Sequence, residues 1–306
     1  MIYYGTLDEP PDRGCAWNGT KDDFRSHGSR PTAQALYISQ PRRQSQTGVV
    51  PVFGVERMAT TALTLLALSA IPASLGAPVA TCPGQFTKIS AETWLQRANP
   101  GWNLGNTLDA LPTEGSWNNP PVQPSTFNQV QAAGFKGMRL PVTWNDHFIS
   151  GSPDWTVDPA WLQRVSDVVD LSISRGFYTI VNVHHDSWNW ADVTKPDANY
   201  TQIEERFHSL WLQIGTKLGC KSSMLAFEPI NEPPGTTQEH GDELNKLNSL
   251  FFKAITTAGG FNADRVVTLS GPSQDGAKTI RFFKRPTGIT NPWAIQVSEC
   301  TVSHMV

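Results

Sequence analysis

Short apolar runs alternate with amphipathic stretches along this chain from about Trp94 onward. The runs cover residues 101–105, which take in the first strand and its exit, 137–142, 177–183, 225–227, 265–270 and 293–297, and their length and β-branched content read as buried strands. Between them the apolar period lengthens. Leu162, Val165, Val168, Val169 and Ile173 fall at helical spacing within 159–175, before Gly176, and Phe207, Leu210, Trp211 and Ile214 form one stripe of 201–218. Further helices are expected from near Ser90 with Glu92 in the first turn, from a Ser125 cap through Ala133 to a stop at Gly134, over about 239–257, and over 276–283. Strands returning roughly every forty residues with helices between them predict an α/β fold built on a parallel sheet with helical crossovers. A doubly wound sheet would carry a glycine-rich phosphate loop after its first strand. Asn103, Asn106 and Asp109 stand there instead, which favours a barrel.

The C-terminal ends of the predicted strands carry residues that do not belong in an apolar core. They are Asn103 and Asn106, Arg139, His184 and His185, and Asn231 with Glu232. In a parallel barrel all of them converge on one face, where catalytic groups sit. The fourth run is the most informative, because Leu225-Ala226-Phe227 leads through Glu228-Pro229-Ile230 to Asn231-Glu232-Pro233, an amide and a carboxylate stopped by proline. Arg139 also suits a structural ion pair, and the two histidines suit a metal. The metal reading is the poorer one: adjacent strand residues point to opposite faces, and no third ligand recurs at a diagnostic spacing.

With 306 residues, 39% hydrophobic and 17% charged, the chain can bury a large core. A net charge of −3 provides no basic field for nucleic acid or an anionic membrane. Eleven tryptophans raise the expectation of faces on which sugar rings stack. The beginning differs in character. Residues 1–57 mix Pro, Gly, Arg, Gln and Ser without a period and are expected to be a disordered upstream extension arising from the gene model. From Met58 an apolar stretch too short to span a bilayer runs to Ile71, and small residues follow. This predicts a signal peptide over 58–76, cleaved after Gly76, and a secreted domain over 77–306 with no membrane attachment. Cys82, Cys220 and Cys300 then remain, an odd number that allows one pair and a free thiol without revealing the pairing. Asn199-Tyr200-Thr201 is an N-glycosylation sequon.

Four segments resemble glycoside hydrolase family 5, the cellulase-containing family of (β/α)8 barrels: Gly101-Trp102-Asn103-Leu104-Gly105-Asn106-Thr107-Leu108-Asp109, Met138-Arg139-Leu140-Pro141-Val142-Thr143-Trp144, Val181-Asn182-Val183-His184-His185 and Phe227-Glu228-Pro229-Ile230-Asn231-Glu232-Pro233. They keep the family's order within residues 94–297. The resemblance implies retaining hydrolysis of a β-glycosidic bond with Glu232 as acid/base. It implies Asn231 at the sugar 2-hydroxyl, Arg139, His184 and His185 in support, and Asn106, Trp144 and Trp188 as subsite contacts. It implies no cofactor and no metal, a β-glucan substrate, most simply β-1,4-glucan, and a monomer. β-1,3-glucan and mannan hydrolysis fit the same residues, as does an inactive sugar-binding remnant.

In the family the nucleophilic carboxylate stands at the tip of the seventh strand, and a His-x-Tyr pair stands at the sixth. Here the sixth predicted strand runs into residues 298–306, so the expected fold is an incomplete TIM barrel with about six of eight βα units. The nucleophile is then absent from the chain. Glu299 is on the wrong strand to replace it, turnover is not expected, and the first and sixth strands are left as open edges.

Overall fold

In the computed structural model, which describes residues 3–5, 81–117 and 119–297, a helix closes the floor of a parallel sheet before the first parallel strand begins. The predicted signal segment, Glu299, Cys300 and the tail lie outside the described residues, as does the upstream extension apart from β1 (Tyr3–Gly5). The chain then continues through α1 (Ala91–Ala98), β2 (Gly101–Asn103), α2 (Pro124–Ala132), β3 (Gly137–Leu140), α3 (Pro159–Ser174), β4 (Tyr178–Asn182), α4 (Tyr200–Leu218), β5 (Leu225–Glu228), α5 (Gln238–Ala258), β6 (Val267–Ser270), α6 (Gly276–Phe282) and β7 (Trp293–Val297). Strands β2 to β7 are parallel and lie in sequence order, so the sheet is the larger part of a (β/α)8 barrel, with six of its strands.

The two faces of the sheet separate by the period of two. Met138, Leu140, Val181, Leu225, Phe227, Val267, Leu269 and Ile295 face outward into the main core shared with the helices. Ile180, Ala226, Val266 and Ala294 face inward, where Ala91, Trp94 and Ala98 of α1 pack beneath them. The Ser90 side chain starts α1 by accepting the Thr93 N–H, and the Trp94 indole donates to the Ser223 carbonyl. Gly137 permits the close approach: a Cβ there would meet the Ala98 carbonyl oxygen at 2.2 Å. Apolar residues thus fill the bottom of the barrel. The next inward layer, above Ile180 and Ala226, is polar.

On the outside, α4 and α5 pack through Phe207, Trp211, Ile214, Phe251 and Ile255, all fully buried. Beneath β5 and β6 the buried Arg265 donates to the carbonyls of Ser222, Leu225, Gly219 and Lys221, and burial lowers its pKa to about 9. Cys82 and Cys220 form a disulfide that ties the chain before α1 to the residues after α4.

Two expectations change. Helix α2 begins at Pro124, not behind a Ser125 cap; the fixed φ of proline suits the first helical position, and Gln123 precedes it without a side-chain cap bond. The sixth parallel strand is also not an open edge. Tyr3–Gly5, inside the segment expected to lack structure, pairs antiparallel with it from Tyr3↔Val297 to Gly5↔Ile295. At the opposite edge β2 pairs, among the described residues, with β3 alone, and Gly101, Trp102 and Asn103 are exposed.

Candidate active site

Arg139 on β3 and Glu228 on β5 organise the polar layer. Both point inward, and the Arg139 Nε and Nη2 donate to Glu228 Oε2 and Oε1 at 2.7 Å each. Glu228 is fully buried, so this bidentate pair lies in low dielectric, where paired charges hold their geometry tightly. The same guanidinium donates to Asn103 Oδ1 at the tip of β2 and to Asn231 Oδ1 beyond β5, each at 2.8 Å. Gln274, after β6, donates to Glu228 Oε1 at 3.0 Å and to Ser270 Oγ at 3.0 Å, and Asn182 on β4 donates to Glu228 Oε1 at 3.3 Å. One ion pair therefore connects five neighbouring strand ends.

Glu232 sits at the edge of this network. The Asn231 N–H donates to the Val183 carbonyl at 2.8 Å, which pins the chain to the end of β4. At Glu232 the backbone turns left-handed, with φ 37°, and the half-buried side chain is carried past the strand tip. A left-handed non-glycine residue costs about 1–2 kcal/mol, and such strain is found at functional sites. The Glu232 carbonyl accepts the indole N–H of Trp188 at 3.2 Å, and Trp188 is 47% exposed. An exposed tryptophan is thereby tied to the backbone of Glu232.

His184 is buried and its Nδ1 lies 3.0 Å from Asn182 Nδ2, so Nδ1 accepts and Nε2 carries the proton. Burial, then the Arg139 charge, then His185 hold its pKa well below 6.5, which keeps the ring neutral. The His185 ring lies between two tryptophans, 5.0 Å from Trp188 and 5.1 Å from Trp117, and its buried nitrogens make no hydrogen bond among the described residues. Trp117 is exposed and is held by its indole N–H on the Leu111 carbonyl. The neutral His184 imidazole beside flat apolar faces suits a polyhydroxylated ring.

The expectation that the two histidines face opposite ways is corrected. Strand β4 ends at Asn182, His184 has φ −99° and ψ −95°, and the turn brings the His184 and His185 rings to 4.6 Å. Asp109, His184 and His185 then present potential ligand atoms within 4.8 Å of one another, with His185 Nε2 3.4 Å from Asp109 Oδ2. These three could hold a metal, but the neighbouring Arg139 guanidinium opposes a cation there.

Trp144, expected as a subsite contact, is fully buried and donates to the Asn182 carbonyl, so its face is unavailable to a sugar. Asn106 stands exposed on the loop after β2 in the left-handed region that asparagine tolerates, φ 58°. Sequence reasoning missed Glu228, Asn182, Gln274 and Trp117. It also missed Asp186, whose carboxylate accepts the Trp144 N–H at 2.9 Å and the Trp190 indole at 2.7 Å. Burial raises the Asp186 pKa to about 6, against those two bonds and the Arg206 charge. Arg206 itself lies over the rings of Phe148, Trp190 and Trp155. Strand alternation could have found Glu228, which shares the parity of Ala226, and the turn after His185 could have flagged Asp186.

The sequence profile described as Cellulase (glycosyl hydrolase family 5) matches residues 100–301. Endoglucanase B of Paenibacillus lautus is 36% identical over 58% of this chain and 32% of its own length. Cellulase/esterase CelE of Acetivibrio thermocellus is 39% identical over 58% of this chain and 22% of its own. Among solved structures, the GH5-4 broad specificity endoglucanase from Ruminococcus champanellensis with bound cellotriose superposes with a TM-score of 0.64 and 30% identity, covering 69% of this chain and 66% of that one. A tri-modular GH5 (subfamily 4) endo-β-1,4-glucanase from Bacillus licheniformis, complexed with cellotetraose, gives 0.61 and 38% identity over 67% of this chain and 39% of that one. The chain thus spans about a third or less of the length of these two curated relatives.

Proposed function

Because the chain belongs to the cellulase family, glycosyl hydrolase family 5, we propose that its polar strand-tip face binds β-1,4-glucan and serves an endoglucanase reaction with Glu232 as the acid/base. One observation carries this reading: the Arg139–Glu228 pair holds Asn231 directly before Glu232, and Trp188 is bonded to the Glu232 carbonyl. A glucosyl ring stacked on Trp188 would lie beside the carboxyl group that protonates the leaving oxygen. Neutral His184 supplies bonds to hydroxyls without competing for that proton, and the His185 ring, whose nitrogens make no hydrogen bond among the described residues, stands 4.6 Å from it. The endo-β-1,4-glucanase from Bacillus licheniformis and the cellotetraose and cellotriose bound in the two similar structures favour β-1,4-glucan over β-1,3-glucan or mannan.

Retention requires a second carboxylate about 5 Å from the acid to attack the anomeric carbon. Glu228 does not take that part, since both its oxygens hold Arg139. The described residues therefore assemble the acid/base half of a carboxylate pair, and we propose that they bind the glucan without turning it over. We also place the protein outside the cell as a monomer; a disulfide is what an oxidising compartment allows. Titration of cellotetraose, laminaritetraose and mannotetraose tests the substrate class. Saturable heat is expected with cellotetraose first, and preference for either of the others would overturn the assignment.

A further inference from the structure

The Asn199-Tyr200-Thr201 triplet has no part in the site just described, yet its setting is specific. Asn199 is exposed, has φ −93° and ψ 90°, and is the cap residue immediately before α4. Its Oδ1 accepts the Gln202 N–H at 3.2 Å, so the amide orientation is set and Nδ2 is directed to the other side. Nδ2 makes no hydrogen bond among the described residues, and the Thr201 side chain two positions on is also exposed. Between them Tyr200 is anchored by its hydroxyl on the Val193 carbonyl at 3.0 Å, which leaves the acceptor amide on the surface. A groove of about 690 Å3, lined by residues 193–201 with Glu239 and His240, opens beside it and has room for a first sugar residue.

We propose that Asn199 is an N-glycosylation site, carrying a glycan on the same βα loop that presents Trp188. The acceptor reacts with a lipid pyrophosphate-linked oligosaccharide. The amide nitrogen forms a bond to the anomeric carbon, the bond from that carbon to the pyrophosphate oxygen breaks, the lipid pyrophosphate leaves with the electron pair, and the amide loses one proton. The carbonyl Oδ1 is not consumed, so the cap on Gln202 survives modification and α4 keeps its start. The proposal rests on the secreted reading, and its test separates the two.

The whole chain is produced in eukaryotic secretory cells in two forms, one with its own N-terminus and one behind an independent secretion leader. Peptides from total and secreted material are treated with an amidase that converts glycosylated Asn to Asp. Behind the independent leader, the Asn199 peptide is expected in the Asp form. Asn199→Gln abolishes that signal, Thr201→Ser keeps it and Thr201→Ala removes it. Peptide mapping distinguishes this position from the second triplet, Asn18-Gly19-Thr20. An unmodified Asn199 peptide in led chains that carry the Cys82–Cys220 disulfide overturns the site. Modification in the led form alone upholds the site and refutes export by the 58–76 segment in a chain that begins at Met1.

Discussion

Truncating Glu228 to alanine isolates the contribution of the buried ion pair. The change removes two 2.7 Å bonds from a guanidinium that is only 7% exposed, while its bonds to Asn103 and Asn231 stay in place. Removing one member of a buried pair costs about 3–5 kcal/mol, because the other charge stays desolvated without its counterion. That is a large part of the roughly 5–15 kcal/mol by which a domain is stable. Arg139→Ala should fall toward the lower end of that range, since Gln274 and Asn182 still donate to Glu228. In the double mutant no charge is stranded, so its loss should approach that of a single mutant, with a coupling of at least about 2 kcal/mol. Urea unfolding of the four proteins, compared at equal m-values, gives these numbers. Single losses below about 1 kcal/mol, or strictly additive losses, would refute the view that this pair organises the site.

Three other outcomes are expected. Closing a loop of 138 residues, the Cys82–Cys220 disulfide should contribute up to about 5 kcal/mol, read as the drop in urea midpoint for Cys82→Ser or under reductant. Glu243 on α5 is 7% exposed, and burial, then the Glu204 charge, raises its pKa from 4.5 to about 7. Its contribution is thus fully present below about pH 4.5 and is lost as pH climbs through about 7, a fall of at most about 3 kcal/mol that Glu243→Gln should flatten. Trp188→Ala should weaken cellotetraose binding about tenfold, or roughly 1.4 kcal/mol, while leaving the urea midpoint nearly unchanged, because its ring is half-exposed. Unchanged affinity would remove Trp188 from the cleft.

Much of this architecture was legible because it is local. The period of two located the parallel strands, the period near four located their helices, and polar residues at strand ends pointed to one face. Asn231 and Glu232 could be singled out because proline and the end of the apolar run mark the tip of β5. Glu228 was harder: a carboxylate within a strand becomes meaningful only once register sets it beside Asn182 and within reach of Arg139. Trp144 lies past the end of β3, where alternation no longer decides whether a ring is buried. The Tyr3–Gly5 pairing is too short to show a period, and it joins segments nearly the whole chain apart. Cys82 meets Cys220 for the same non-local reason, and three cysteines offered no basis for choosing.

The central proposal is that this face binds β-1,4-glucan around Glu232, with the acid/base half of the catalytic pair alone among the described residues. Calorimetric titration of cellotetraose into the 306-residue chain, with product analysis of the same samples, tests both parts together. Saturable binding that survives Glu232→Gln, with no shorter oligosaccharides released above buffer, is the predicted result. Absence of saturable binding, or turnover that Glu232→Gln abolishes, would contradict it.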